Sequence, residues 1–210
     1  MDDRSHERER MVERQLVRRG IRDERVLAAM GEVPREQFVP SGLTHEAYSD
    51  RPLPIGERQT ISQPYIVART AELLAPQPAD RVLDIGTGSG YAAAVLSRIV
   101  AEVWSVERIP DLAEAARARF ASLDYRNVGV LTGDGRLGWQ EHAPFDGIQV
   151  AAASDEVPRA LEEQLTIEGR MVIPLGDRFS QRLTLIHRVG DRRWRREPGE
   201  LVRFVPLVRR

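Results

Sequence analysis

A glycine-rich turn between an apolar run and an alanine-rich one constrains this chain more than any other feature. The stretch is Asp84-Ile85-Gly86-Thr87-Gly88-Ser89-Gly90. Residues 81–86 read as a short buried strand and residues 91–100 as a helix. The glycines let the backbone turn sharply and approach a ligand closely. The helix start offers free N–H groups and a partial positive charge. Downstream, strands are predicted at 103–107, 128–134, 145–150 and 169–176, with helices at 111–121 and 157–165. This alternation from residue 81 implies an α/β, Rossmann-like fold: a mostly parallel sheet with helices on both faces. The runs 182–189 and 200–208 alternate at period two, which predicts antiparallel C-terminal strands.

Upstream, residues 5–19 read as a helix stopped by Gly20. Asp23 is placed to cap a second helix that presents Val26, Leu27 and Met30, ended by Gly31 and Pro34. Residues 39–64 carry Pro40, Pro52, Pro54 and Pro64 and read as a long irregular connection. Leu43, Tyr48, Leu53, Ile55 and Ile61 punctuate it, which favours an ordered functional loop. From Pro64 a helix is expected, with Ile66, Val67, Thr70, Leu73 and Leu74 on one face and Pro76 and Pro78 ending it. The 210 residues suit one domain. Its portions are an N-terminal helical and loop part (1–78), a βα core (79–176) and C-terminal strands (177–210).

The loop spacing is GxGxG, not the GxGxxG of dinucleotide sites. Asp84 precedes it; an anion there opposes a pyrophosphate but suits an ammonium group. Glu107 ends the next strand, where a carboxylate can accept both ribose hydroxyls. Together they point to S-adenosylmethionine. A tight strand–helix turn without a ligand and a nicotinamide site are the alternatives. Asp134, in Gly133-Asp134-Gly135, can receive an adenine amino group or serve as a turn residue. Asp146 opens the fourth strand and is either near the ligand crevice or an ordinary strand-edge residue.

Composition removes much chemistry. The chain has no cysteine and no lysine: all 31 basic residues are arginine. Thiolate metal sites, disulfides, cysteine nucleophiles and Schiff bases are excluded. His6, His45, His142 and His187 are scattered, in surface or packing roles, and no metal site is expected. The net charge of −1 gives no argument for nucleic acid. The arginine-rich tail from 181 reads as a mixed-charge β-rich face rather than a polyanion site. The charged start has no apolar core of an export signal and no run is long enough to span a membrane, so a cytoplasmic location and a monomer are expected.

Thr60-Ile61-Ser62-Gln63-Pro64 precedes the Pro64 helix. By composition alone Ser62 reads as a helix cap. The wider stretch Gln59–Pro64, together with Val82–Tyr91, Ser105-Val106-Glu107-Arg108, Gly133-Asp134-Gly135, Val33-Pro34-Arg35 and the tail Arg203–Val208, resembles the protein-L-isoaspartate (D-aspartate) O-methyltransferase family nearly end to end. The resemblance implies methylation of the free α-carboxylate of L-isoaspartyl residues in damaged proteins, with S-adenosylmethionine as donor. It implies Ser62 as the active-site residue, and cofactor contacts at Thr60, Asp84, Gly86, Glu107, Arg108, Asp134 and Gly135. Gly88 and Gly90 complete the cofactor loop, and Gln59, Thr60, Ile61 and Ser62 form the expected acceptor site. It also implies a helical N-terminal extension and exchanged C-terminal strands. Two departures stand out: Arg58 where the family has glycine, and Ala151-Ala152-Ala153-Ser154-Asp155 where it tends to have Thr-Ala-Ala and proline. They leave open a carboxyl methyltransferase with a dedicated acceptor; a non-catalytic binding module is a third reading.

Overall fold

The computed structural model describes residues 4–208. Its centre is a seven-stranded sheet. A two-stranded hairpin, β1 (Leu53–Gly56) and β2 (Gln59–Ile61), stands apart from it. The sheet strands are β3 (Arg81–Ile85), β4 (Glu102–Glu107), β5 (Val128–Thr132), β6 (Phe145–Val150), β7 (Leu165–Gly176), β8 (Gln181–Gly190) and β9 (Arg193–Val202). They lie in the order β5-β4-β3-β6-β7-β8-β9. β3 through β7 are parallel, while β8 and β9 are antiparallel additions.

Alternation along the strands divides the core. Val82, Val103, Val172 and Leu183 point to one face. There they meet α2 (Glu24–Glu32), α3 (Pro64–Leu74), α4 (Tyr91–Ser97) and α5 (Pro110–Ser122). Leu83, Ile85, Val106, Ile148, Met171 and Ile186 point to the other face, covered by α6 (Arg159–Glu163) and Trp139. The expected sheet with helices on both faces is present, but unequally: the second face has one short helix and tight turns at 135–142.

Other expectations fare differently. The 5–19 segment begins as α1 (Ser5–Met11), then widens into a π turn before Gly20 ends it with φ +97°. Asp23 caps α2 as its spacing predicts, accepting from the Arg25 and Val26 amides. The irregular 39–64 connection contains the β1–β2 hairpin, which its prolines conceal. The last expected strand, 200–208, is displaced: β9 occupies 193–202. Its polar residues form an edge strand with solvent on much of both sides, so no alternation marks it. The alternating residues 204–207 instead pair with 153, through Ala153 N–H to the Val205 carbonyl (2.8 Å) and Leu207 N–H to the Ala153 carbonyl (2.7 Å). Among the described residues, no helix is long and apolar enough to cross a membrane.

Gly90 is the N-cap of α4, with φ +92°, and a Cβ there would lie 2.7 Å from the Phe120 ring. Left-handed strain and overpacking each cost about 1–3 kcal/mol. Gly90→Ala is therefore expected to lower the calorimetric unfolding midpoint by roughly 5–15 °C. Gly42→Ala is the control, since a carbon added there meets nothing within 4 Å; its midpoint should move by no more than about 2 °C.

Candidate functional site

Asp84 lies opposite Ser105 of β4 and Gln149 of β6 in the parallel register. Ser105 Oγ donates to Asp84 Oδ2 at 2.6 Å and Gln149 Nε2 to Oδ1 at 2.7 Å. Thr87 Oγ1, from the glycine loop, is 2.6 Å from Ser105 Oγ. The carboxylate is 1% exposed. Burial pushes its pKa up, against the Ser105 and Gln149 hydrogen bonds, and the nearby Glu107 charge adds to the rise. Asp84 thus sits beneath the loop, tying three strands to it, and not on the wall of the crevice above.

That crevice opens at the carboxyl ends of β3, β4 and β6, where open α/β sheets bind ligands. It is a cavity of about 330 Å³ lined by Gly86–Ser89, Glu107–Ile109, Gly135 and Ala151. Glu107 is buried; Oε2 accepts from the Gly88 N–H at 2.8 Å and Oε1 from the Ile109 N–H at 2.9 Å. These bonds fix the carboxylate on the cavity wall and leave each oxygen a lone pair. Arg108 lines the same cavity and forms no ion pair among the described residues. Gly135 is required by space: a Cβ would stand 2.5 Å from Ile85 Cγ2. Its neighbour Asp134 accepts from the Arg136 amide (3.0 Å) and pairs with the Arg136 guanidinium (2.6 Å). The cavity wall is formed by Gly135 rather than by the Asp134 side chain. Asp146 lies at the far, amino end of β6 and accepts from the Arg81 amide, an edge role remote from the crevice.

The hairpin closes the other side. Gln59, Thr60, Ile61 and Ser62 all line the cavity. Ile61 is buried and Thr60 exposed. Gln63 is the N-cap residue of α3, with no side-chain cap. Ser62 therefore does not cap the helix, and its hydroxyl has no partner among the described residues. A second cavity, of about 610 Å³, lies behind the hairpin, lined by Tyr65, Glu200 and Arg203 among others. The two cavities share Thr60, Ser62, Ala151 and Val205.

Of the departures, Arg58 adopts φ +55° after Glu57 at +49° and Gly56 at +94°. A side chain limited to ordinary φ was the expectation; instead the hairpin keeps a glycine-like path and Arg58 bears the strain. Ala151 is in van der Waals reach of Gly86, 3.5 Å from a Cβ built there. Asp155 stands on a different groove, beside Arg178 and Phe179. Sequence reasoning missed Ser105, Gln149 and the Val205–Leu207 wall. The first two carry a signal in hindsight: a polar residue inside an apolar strand, facing Asp84 in parallel register.

The model of the Protein-L-isoaspartate(D-aspartate) O-methyltransferase family matches residues 6–210. A Methanoregula boonei Protein-L-isoaspartate O-methyltransferase is 55% identical over 98% of this chain and 94% of its own length. Protein-L-isoaspartate O-methyltransferase 2 of Pelobacter propionicus is 57% identical over 97% of this chain and 91% of its own. A solved protein-L-isoaspartate O-methyltransferase superposes with TM-score 0.85 at 32% identity, covering 95% of this chain and 65% of that longer one. A Plasmodium falciparum structure in complex with S-adenosyl-L-homocysteine gives TM-score 0.83 at 25% identity, covering 97% and 99%.

Two substitutions test the site geometry. Because the folded Asp84 holds its proton above the ordinary value of 3.8, it withdraws stability as pH rises from about there through its folded pKa. Asp84→Asn should lack that loss, so its urea-unfolding stability should gain on the natural chain as pH rises above about 4. The same substitution is expected to weaken S-adenosylhomocysteine binding about tenfold by calorimetry, since an amide cannot accept from both Ser105 and Gln149 beneath the loop. Arg58→Gly relieves left-handed strain of about 1–2 kcal/mol against a glycine entropy cost of about 0.5–1 kcal/mol. Its thermal midpoint should rise by roughly 1–4 °C.

Proposed function

The chain belongs to the protein-L-isoaspartate(D-aspartate) O-methyltransferase family, and from that premise we propose how its residues carry the reaction. It is an S-adenosylmethionine-dependent enzyme that methylates the free α-carboxylate of L-isoaspartyl residues in damaged proteins. The observation that carries this reading is the meeting of two cavities at Ser62, whose hydroxyl has no partner among the described residues.

The residues present fit the cofactor. Glu107 offers fixed acceptors for ribose hydroxyls, the Gly86–Gly90 turn gives backbone approach, and Ile109 and Leu207 provide apolar walls. Arg108 is free to meet a carboxylate. Asp84 acts one layer lower, orienting the loop through Ser105 and Thr87. Asp134 holds the turn that presents Gly135. When bound, S-adenosylmethionine supplies a methyl carbon made electrophilic by its sulfonium.

The acceptor enters from the larger groove as an extended backbone segment. Its carboxyl group has a pKa near about 3–4 and is ionised at neutral pH. No general base is needed, which suits a site whose wall carries no histidine. Ser62 donates its O–H to one carboxylate oxygen and leaves the other to attack. Thr60 offers a second hydroxyl at the same junction, while buried Ile61 anchors the chain between the two. Holding the two reactants in line supplies much of the acceleration; well-oriented pairs gain up to about 7–11 kcal/mol. The attacking oxygen gains the methyl carbon, the carbon–sulfur bond breaks, and no proton moves. The methoxy group of the ester leaves more readily than the oxygen of the free acid, so succinimide closure expels methanol and hydrolysis, partly to normal aspartate, follows without the protein.

A dedicated acceptor is the second reading, motivated by Arg58 on the cavity wall and Ala151 between the cavities. Radiolabelled methyl donor with matched isoaspartyl and aspartyl peptides separates the two. Base-labile label on the isoaspartyl peptide alone is the expected result; label confined to another acceptor would favour the second reading. Ser62→Ala should lower kcat/KM for the peptide by about ten- to a hundredfold, with S-adenosylhomocysteine affinity within about twofold of the natural chain.

A further inference from the structure

Arg35 opens the 3₁₀ turn Arg35–Phe38 and is 0% exposed. Its Nε donates to the Ala47 carbonyl at 2.7 Å and its Nη2 to the Ser62 carbonyl at 2.8 Å. Its guanidinium carbon lies 4.7 Å from the centroid of the Tyr91 ring. Nη1 is buried without a partner. Among the described residues no carboxylate pairs with Arg35. Asp50, which acts on it through space, is itself paired with Arg19.

A guanidinium stays charged in proteins even when burial opposes it. Burying a cation with no ion-pair partner is costly, and neutral donors would serve two carbonyls equally well. The charge therefore needs a reason of its own. Its two contacts towards the site suggest one. Ser62 lies where the two cavities meet, and Tyr91 stands on the wall of the cofactor cavity. A dry positive charge directly behind Ser62 is worth far more to an approaching anion than a solvated one.

We infer that Arg35 is a positioning residue for the methyl acceptor: it clamps Ser62 through its carbonyl, and its uncompensated charge draws the acceptor carboxylate to the junction. This rests on Ser62 holding that carboxylate. The two effects separate kinetically. Attraction of the charge is strongest for the ionised acceptor before transfer and is lost as the charge is neutralised, so it acts on KM. The clamp sets the direction of the Ser62 hydroxyl and acts on kcat.

The experiment compares Arg35→Gln and Arg35→Lys with the natural chain, using an isoaspartyl peptide and S-adenosylhomocysteine calorimetry. Arg35→Gln, without the charge, is expected to raise the peptide KM about tenfold. Arg35→Lys keeps the charge and loses the fork; its KM should stay within about twofold while kcat falls about tenfold. Both should bind S-adenosylhomocysteine as the natural chain does. An unchanged peptide KM in the glutamine variant overturns the proposal. So does an equal KM rise in both variants, or a parallel loss of S-adenosylhomocysteine affinity, which marks a core residue only. Unfolding of both variants overturns it in the same way. A natural chain that leaves the isoaspartyl peptide unlabelled removes the functional reading itself, whatever the Arg35 variants do.

Discussion

The carboxylate of Asp84, held between Ser105 and Gln149, is the interaction on which the site depends. It joins β3, β4 and β6 at one level of the parallel register. The carboxyl ends of those strands carry the glycine loop, Glu107 and Ala151, so the joint sets the relative height of three cavity walls. The same joint reaches the loop through Thr87. A fully buried carboxyl group is an unfavourable way to fasten a sheet.

The remaining walls come from the two ends of the chain. The β1–β2 hairpin brings Thr60 and Ser62 over the crevice from the N-terminal side. The segment after β9 returns across the sheet and pairs with Ala153, which places Val205 on both cavities. Running the last strands in chain order, β7-β8-β9, makes this possible: the antiparallel meander ends on the sheet's outer edge with chain left to cross back. The edge strand is polar and arginine-rich because solvent meets most of it, while the apolar residues beyond it were available to close the site.

This division explains what could be read in the sequence. The parallel core was legible because every strand there is a short apolar run followed by a helix or turn, and local pattern alone determines it. Asp23, Gly20 and the glycine loop were legible because caps and left-handed turns demand particular residues. The hairpin was not, since Pro52 and Pro54 look like interruptions and only pairing across Gly56–Arg58 makes them a strand. The tail misled for the opposite reason: residues 200–208 read as a strand, yet Phe204 and Leu207 are only half-buried, Val205 is exposed, and all three line cavities rather than pair within the sheet. Asp84, expected beside an ammonium group of the ligand, lies beneath the loop instead. Its depth follows from Ser105 and Gln149, which are distant in sequence and reveal themselves only through register.

The absence of lysine is most simply a matter of overall composition, but at two positions the arginine fork is structurally specific. Arg35 reaches the carbonyls of Ala47 and Ser62 from one planar group. Arg119, on α5, does the same with Gln37 and Ser89, at 2.8 Å each. Each fork thus binds the N-terminal helical segment to one active-site loop: Arg35 to the hairpin end, Arg119 to the glycine turn. An ammonium on a flexible stem is a point charge and cannot hold two divergent carbonyls with fixed geometry. The N-terminal segment meets the site through these forks and through Phe38, whose ring packs 5.6 Å from that of Tyr91, so it ties the two loops to one apolar cluster. That makes the relative position of the Ser62 hydroxyl and the cavity at the glycine loop a property of the whole chain, with walls from both ends, rather than of the βα core that carries the more recognisable motif.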